Sequence, residues 1–348
     1  MSSVHWILAF ALLVGISSAL ECVQIPDSEV IPGHFSTIPA GANATVQIPP
    51  NYSCTYNIKV PPMVYAHVRL ENGLKGNNDL ITVTDDQFTR TLVSSRSATV
   101  LNFYVFPNTT TTFKVVTKSV DMRSSFRLLV FYQKIGNSSL THLGNSDFKY
   151  FYLNDLQVNS YKNPQTVQGT EQIVMSLAVS GWDADLFDNY FVIDGTFENP
   201  KNVYRMNRFV HQNLISTGNT LTVVGLDNRV SKSSVVFTPL SQALQFDFLS
   251  GIGEYFQANQ LDIDSTSGNK KLKAVNVISS IDYVMFLSVQ VNNGPSCSLK
   301  AVEAPPSPSS PVILDFSTVT QYPMNITHQS FSIIAENCVA TLRMVAPS

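Results

Sequence analysis

Charge is scarce in this chain: Asp, Glu, Lys and Arg make up 14% of its 348 residues, against roughly 25% in an average soluble protein. The formal net charge is −3 and no block of Lys or Arg occurs. That argues against nucleic acid, whose phosphates need clustered cations, and equally against an anionic membrane surface. Cysteine is limited to Cys22, Cys54, Cys297 and Cys338, with no Cys-x-x-Cys and 32 positions between the nearest two, so a thiolate zinc site is not indicated. No internal run is long enough to cross a bilayer, and the final Met-Val-Ala-Pro-Ser has no hydrophobic tail of the GPI type. No segment holds a 3.6-residue apolar stripe, which sets long amphipathic helices aside.

Local catalytic motifs are missing too. The five histidines after the leader (His34, His67, His142, His211, His328) lie in no His-Glu-x-x-His, and neither a Gly-x-Ser-x-Gly elbow nor a P-loop occurs. The expectation is a protein that is not an enzyme. A secreted hydrolase with a dispersed site is the alternative, because triads assemble from distant residues.

What is present points outside the cell. Residues 1–19 combine an apolar run from Trp6 to Ile16 with small residues ending at Ala19, the pattern of a cleaved signal peptide with a charge-poor start. In an oxidising compartment four cysteines should pair. Of three connectivities, Cys22–Cys54 with Cys297–Cys338 is favoured because each pair falls inside one candidate domain. Five Asn-x-Ser/Thr sequons, at Asn43, Asn51, Asn108, Asn137 and Asn325, suit an N-glycosylated product whose glycans supply the solubility that charge does not. An extracellular, secreted protein is expected, with peripheral cell-surface association as a variant.

Short alternating runs bounded by breakers are the commonest pattern. They occur at 54–60, 64–70 and 80–84, separated by Pro61-Pro62 and by a Gly/Asn cluster (Gly73, Gly76, Asn77, Asn78). Further strands are expected at 45–48, 99–106, 112–118 and 126–133. Ten or so short strands with turn signals at this spacing predict a β-sandwich. Asp188-Asn-Tyr-Phe-Val-Ile-Asp194 and Ile215 to Asp227 echo segments 79–85 and 112–121, with Asp79 to Asp188 and Asp121 to Asp227 offset by 109 and 106 residues. The economical reading is a repeat. The predicted organisation is therefore a first domain at 20–134, a Gly/Asn/Ser-rich linker at 135–147, a second, divergent domain at 148–240 and a C-terminal β region at 241–348. In the last, 271–291 reads as strand, 304–311 as a proline-rich connector and 331–345 as a closing strand pair. A tail on the second sandwich and a third small domain are both consistent with it.

The order Cys54, aromatic Tyr56, Ile58, Pro61, then Asn78-Asp79-Leu80-Ile-Thr-Val-Thr-Asp85 resembles the CUB domain. More narrowly, it is similar to the CUB-like domain of a nematode family of secreted proteins associated with pathogen response. The resemblance covers residues 22–134 and, loosely, 148–240. It implies an all-β fold of tandem CUB-like, jelly-roll-like β-sandwiches with a C-terminal β segment. It also implies non-enzymatic recognition of a protein or carbohydrate ligand on a cell or microbial surface, in innate immune defence against bacteria. A structural or membrane-raft-associated surface protein is the second reading. Many CUB domains hold a calcium ion, and by resemblance Glu71, Asp79 and Asp121 fill its carboxylate positions. The bland alternative is that Asp79 and Asp121 cap turns. No other cofactor is implied.

Two further groups are singled out. Trp182-Asp183-Ala-Asp185-Leu-Phe-Asp188 offers three carboxylates, read as a polar turn rather than an ion loop, since the EF-hand Gly and Glu are replaced by Asp188 and Asp194. Residues 148–152 and Tyr190-Phe191 supply aromatics for a binding surface or, as is commoner in sandwiches, for the core.

Overall fold

The structure, a computed structural model, describes residues 20–345 except 95–98, 121–122, 157–161, 181–182, 184, 254–258, 282 and 292–295. Residues 1–19, where a signal peptide is expected, Asp121 and Trp182 lie outside the described residues. The chain divides into two compact units, Met1–Lys134 and Ile135–Ser348. Secondary structure is nearly all β, and no described helix is long and apolar enough to cross a membrane.

Among the described residues the first unit has nine strands: β1 (Phe35–Ile38), β2 (Val46–Gln47), β3 (Ser53–Lys59), β4 (Val64–Gly73), β5 (Leu80–Thr84), β6 (Thr89–Val93), β7 (Thr99–Val105), β8 (Thr110–Val116) and β9 (Ser125–Lys134). They form two sheets, β1-β9-β4-β7 with β2 beside β9, and β3-β8-β5-β6. Period-2 patterning drives the sandwich. On β3 every second residue is buried (Cys54, Tyr56, Ile58), and on β9 Phe126, Leu128, Val130 and Tyr132 point inward. Each such side chain contributes about 1.5–3 kcal/mol relative to exposure. Pro61-Pro62 ends β3, and the chain reverses through Met63 at φ 62°, so β4 pairs in the other sheet. A Cys22–Cys54 disulfide ties the leading segment to β3.

The second unit contains β10 (Ser139–Leu143), β11 (Lys149–Tyr152), β12 (Gln165–Gly169), β13 (Ile173–Val179), β14 (Tyr190–Gly195), β15 (Pro200–Arg205), β16 (Leu214–Ile215), β17 (Thr220–Gly225) and β18 (Ser234–Pro239). After the short helix α1 (Leu240–Ala243) come β19 (Phe248–Ile252), β20 (Asn259–Asp264), β21 (Leu272–Ile278), β22 (Val284–Val291) and β23 (Ser298–Glu303). The last strands are β24 (Val312–Asp315), β25 (Met324–Ile326), β26 (Ser330–Glu336) and β27 (Val339–Val345).

Residues 149–239 repeat the strand order of the first unit. β12-β17-β14-β15 matches β3-β8-β5-β6, and β11-β18-β13 with β16 on β13 matches β1-β9-β4-β7. The topology follows the offset seen between the Asp-bearing segments. Within the stretch read as a linker, β10 pairs in parallel with β12, Ser139 opposite Gln165. Its weak apolar content, with only Leu143 buried, hid it.

The C-terminal region both extends a sheet and builds a core of its own. β13 pairs in parallel with β19, Ala178 opposite Gly251, and the sheet continues β19-β21-β26-β23-β24. Gly251 permits this junction: a Cβ there would lie 2.8 Å from the Leu177 carbonyl oxygen. β20-β27-β22-β25 forms the facing sheet, over a core that includes Phe286, Phe331, Ile333 and Leu342. The expected closing strand pair is not a pair. β26 and β27 lie in different sheets, with the corner at Asn337, φ 49°, and Cys338 bonded to Cys297.

Candidate functional site

Three places hold the residues that the sequence singled out, and a fourth was not foreseen. Glu71 and Asp79 are not assembled as a pair of cation ligands. Glu71 lies opposite Arg127 on the outer face of β4–β9, and both of its oxygens are taken by Arg127, Oε2 by Nε at 2.9 Å and Oε1 by Nη2 at 2.9 Å. Those hydrogen bonds hold the Glu71 carboxyl below its ordinary value, against burial.

Asp79 is almost fully enclosed, 1% exposed. Its Oδ1 accepts from the Lys118 and Ser119 amides at 2.7 and 2.9 Å, and its Oδ2 from the Ser119 and Ser124 hydroxyls at 2.6 and 2.7 Å. Ser124 Oγ in turn accepts from the Lys75 and Gly76 amides. Burial pushes the Asp79 carboxyl up, but the hydrogen bonds from Ser119, Ser124 and Lys118 outweigh it and hold it below the usual aspartate value. Gly76 is required here, since a Cβ would overlap the Asp79 carboxylate. Asp79 thus fastens two loops at one end of the sandwich, the turn-capping role. With its lone pairs filled by donors it does not fit a calcium ligand, and among the described residues no group of three His, Cys, Asp or Glu is placed to hold a metal.

The acidic turn of the second unit is likewise dispersed. Asp183 is buried, not solvated, and its Oδ2 accepts from Ser231 Oγ, the Lys232 and Ser233 amides and Ser233 Oγ at 2.7–3.0 Å. Asp185 pairs with Arg229 at 2.9 Å, and Asp188 accepts from Asn207. Asp227 sits among Arg229 and Asn189, and the neighbouring Lys162 Nζ donates to the Asp227 carbonyl at 2.8 Å and to Asn228 Oδ1 at 2.6 Å.

Burial lowers the Lys162 ammonium to about 8, with Asp227 pulling the other way. Between that value and the ordinary lysine value of about 10.4 the unfolded chain binds more protons than the folded one. Lys162 therefore makes the second unit more stable as pH rises through this window, by up to about 1.4 kcal/mol per pH unit. Urea midpoints measured on both sides of pH 8 should show this rise in the native protein and lose it in Lys162→Met; equal slopes would refute the assignment.

The aromatics also redistribute. Tyr190 and Phe191 are core residues, 0% and 1% exposed, and Phe191 is covered by the Arg205 guanidinium at 4.9 Å. Phe148, Tyr150 and Tyr152 pack half-buried over Ala178, Val236 and Ile278, and the Tyr152 hydroxyl donates to the Ser279 carbonyl at 2.8 Å.

A different aromatic row crosses the outer face of the first unit. Phe35 on β1 faces Phe131 on β9, Phe131 faces His67 on β4, and His67 faces Tyr104 on β7. Ring centroids are 4.9, 5.8 and 4.8 Å apart, with His67 stacked on Tyr104 at 11°. His67 Nε2 is hydrogen-bonded to Asn102 Oδ1 at 2.9 Å, as a mid-strand, partly buried histidine should be. Phe35 is 45% exposed, whereas Tyr104 is 5% exposed, so the row is open at its Phe35 end and covered at its Tyr104 end. Two residues along the strands lies the ion-paired group Arg69, Glu71 and Arg127. The face thus presents stacked rings beside fixed charges. One signal for it exists in the sequence: Phe131 stands at an outward position of β9, between the inward Val130 and Tyr132.

His34 and Glu29 form a His–carboxylate pair at 3.6 Å. Ser36 Oγ donates to Glu29 at 2.8 Å, so the hydroxyl is on the carboxylate and not on the imidazole, the wrong order for a nucleophile–base relay. The sequon asparagines 43, 51, 108, 137 and 325 are all exposed.

Residues 17–136 match the family model described as the CUB-like domain. No curated protein matches the sequence significantly. Among solved structures, the chain is similar to the CUB1-EGF-CUB2 domain of human MASP-1/3, at 9% identity over 59% of this chain and 98% of that one, TM-score 0.23. It is also similar to the CUB1-EGF-CUB2 domains of rat MASP-1, at 11% identity over 93% of this chain and 99% of that one, TM-score 0.23. The chain carries a CUB-like domain, over residues 17–136.

Proposed function

We propose that the protein is an extracellular, N-glycosylated, non-enzymatic recognition protein acting in innate immune defence against bacteria, with the outer face of its first unit as a contact surface. A CUB-like domain suggests an extracellular interaction module, and two disulfides fit an oxidising compartment. The observation that carries the reading is the open end of the aromatic row, Phe35 with Phe131 and His67 behind it. Aromatic side chains on a rigid sheet supply contact area at low entropic cost and dominate binding energy at interfaces. The resemblance to secreted pathogen-response proteins supports the immune assignment.

The test is retention of purified, glycosylated residues 20–348 on intact bacteria and on host membranes, with and without EDTA. Retention on bacteria should be insensitive to EDTA, because Asp79 and Glu71 are engaged by protein donors, and should fall about tenfold or more in Phe35→Ala. Phe35 is an exposed residue whose truncation leaves the core intact. Retention on host membranes alone would favour the structural surface-protein reading. Retention on neither sinks the proposal.

A further inference from the structure

Between β23 and β24 the chain runs Ala304-Pro-Pro-Ser-Pro-Ser-Ser-Pro311. Pro305, Pro306, Pro308 and Pro311 lack the amide hydrogen that a strand partner needs, and none of these residues belongs to a described strand. The segment closes on itself instead. The Glu303 amide donates to the Pro311 carbonyl at 2.9 Å and draws the two ends together, as in an Ω-loop. Inside it the Ser310 amide donates to the Ser307 carbonyl at 3.0 Å. That makes 307–310 a β-turn with Pro308 second, where its ring fixes the φ a turn requires, and Ser309 third.

The three serines of the loop differ. Ser310 is half-buried and spends its proton on the Pro305 carbonyl at 2.8 Å. Ser307 is half-buried too, and its Oγ holds the turn by accepting from the Ser309 amide at 3.2 Å. Ser309 is exposed, as are Pro308 and Pro311 around it, and its hydroxyl meets Ser307 Oγ at 2.9 Å on the open side. The turn therefore offers one serine hydroxyl to solvent on backbone that no sheet ladder holds. Serine flanked by proline on the surface of an exported chain is the composition that carries O-linked sugar.

We propose that Ser309 is the acceptor of an O-linked N-acetylhexosamine of the mucin type. Its Oγ attacks the anomeric carbon of a nucleotide-activated sugar. The oxygen–carbon bond forms as the bond from that carbon to the phosphate breaks. The nucleoside diphosphate leaves with the electron pair and takes up the hydroxyl proton. The catalyst is a glycosyltransferase of the secretory pathway, so the proposal rests on the extracellular reading. The position suits a bulky, solubilising group. Shortly after Ser309 comes β24, which among the described strands pairs on one side only, with β23, and whose Val312 is 53% exposed. A sugar at Ser309 screens an edge on which a foreign strand could add.

The test uses the full chain secreted from animal cells, reduced, treated with peptide N-glycosidase and cut with trypsin. Peptide 301–343 is then sequenced by electron-transfer mass spectrometry; it also holds the sequon at Asn325, whose conversion to Asp reports passage through the secretory pathway. An N-acetylhexosamine, alone or extended, is expected on Ser309, and it disappears in Ser309→Ala, a change at an exposed side chain. Ser317, exposed but without flanking prolines, should stay bare. Conversion at any sequon with a bare Ser309 overturns the proposal and leaves the extracellular reading standing. A chain bare at every sequon and at Ser309 overturns both. Sugar confined to Ser307 or Ser310, or phosphate on Ser309, overturns the assignment.

Discussion

Asp79→Ala is expected to lower the stability of the first unit by about 3–5 kcal/mol. The carboxylate is enclosed and its oxygens accept four hydrogen bonds. Truncation leaves the Lys118 and Ser119 amides facing a void, each orphan costing about 1–3 kcal/mol. Asp79→Asn should cost about 2–3 kcal/mol, because the amide keeps one acceptor for the backbone amides, but Ser124 Oγ already accepts from the Lys75 and Gly76 amides and so faces the new NH₂ donor to donor. The pH dependence has a definite sign. A carboxyl held lower in the folded than in the unfolded chain stabilises fully above the ordinary aspartate value of about 3.9, and the contribution is lost as pH falls through the lower, folded value. Asp79→Asn should abolish that acid slope. Hydrogen exchange on the amides of β3 and β8 reads the first unit alone. A loss under about 1 kcal/mol in the alanine variant would show that the loops find other partners.

Replacing Cys297 and Cys338 together by alanine should remove about 4 kcal/mol from the second unit, the loop-closure value for a 41-residue separation. Cys338 is completely buried, so the change also loosens packing beside Leu342 and Ala335. Hydrogen exchange on the amides of β14 and β17 reads the sandwich at 149–239, the part of the unit distant in sequence from the bond. Because β13 and β19 share one ladder, the urea dependence of those amides should move with that of the C-terminal strands. Amides of β14 and β17 that stay protected while those strands open earlier would show that the shared sheet does not couple them.

Much of the strand content was legible because it rests on local alternation. β3, β5, β8 and β9 fall within a residue or two of where the pattern puts them, and the favoured cysteine pairing is the one formed. What escaped depends on partners far along the chain. β1 lies in a Pro/Gly-rich segment that reads as irregular, yet it pairs with β9 from Phe35 to Ile38. β10 has the composition of a linker. That β26 and β27 part into different sheets is a matter of register, which periodicity leaves undetermined.

The site followed the same division. Asp79 was found as a residue of interest, but its donors come from 118–124 and only folding brings them to it. The Phe35–Tyr104 row needs four strands in register before it exists at all. Tyr190 and Phe191, conspicuous in sequence, are spent on the core.

The β13–β19 pairing also bears on where this chain tolerates being cut. A break after 240 would strip β19 from β13 and leave open backbone groups of Ala178 and Val179 beside a largely apolar strand, a template on which a second molecule could add a strand. Residues 135–240 and 241–348 therefore protect one another from aggregation. A nick at 134–135 opens no ladder of the first unit among the described residues, since the described strands of that unit pair with one another.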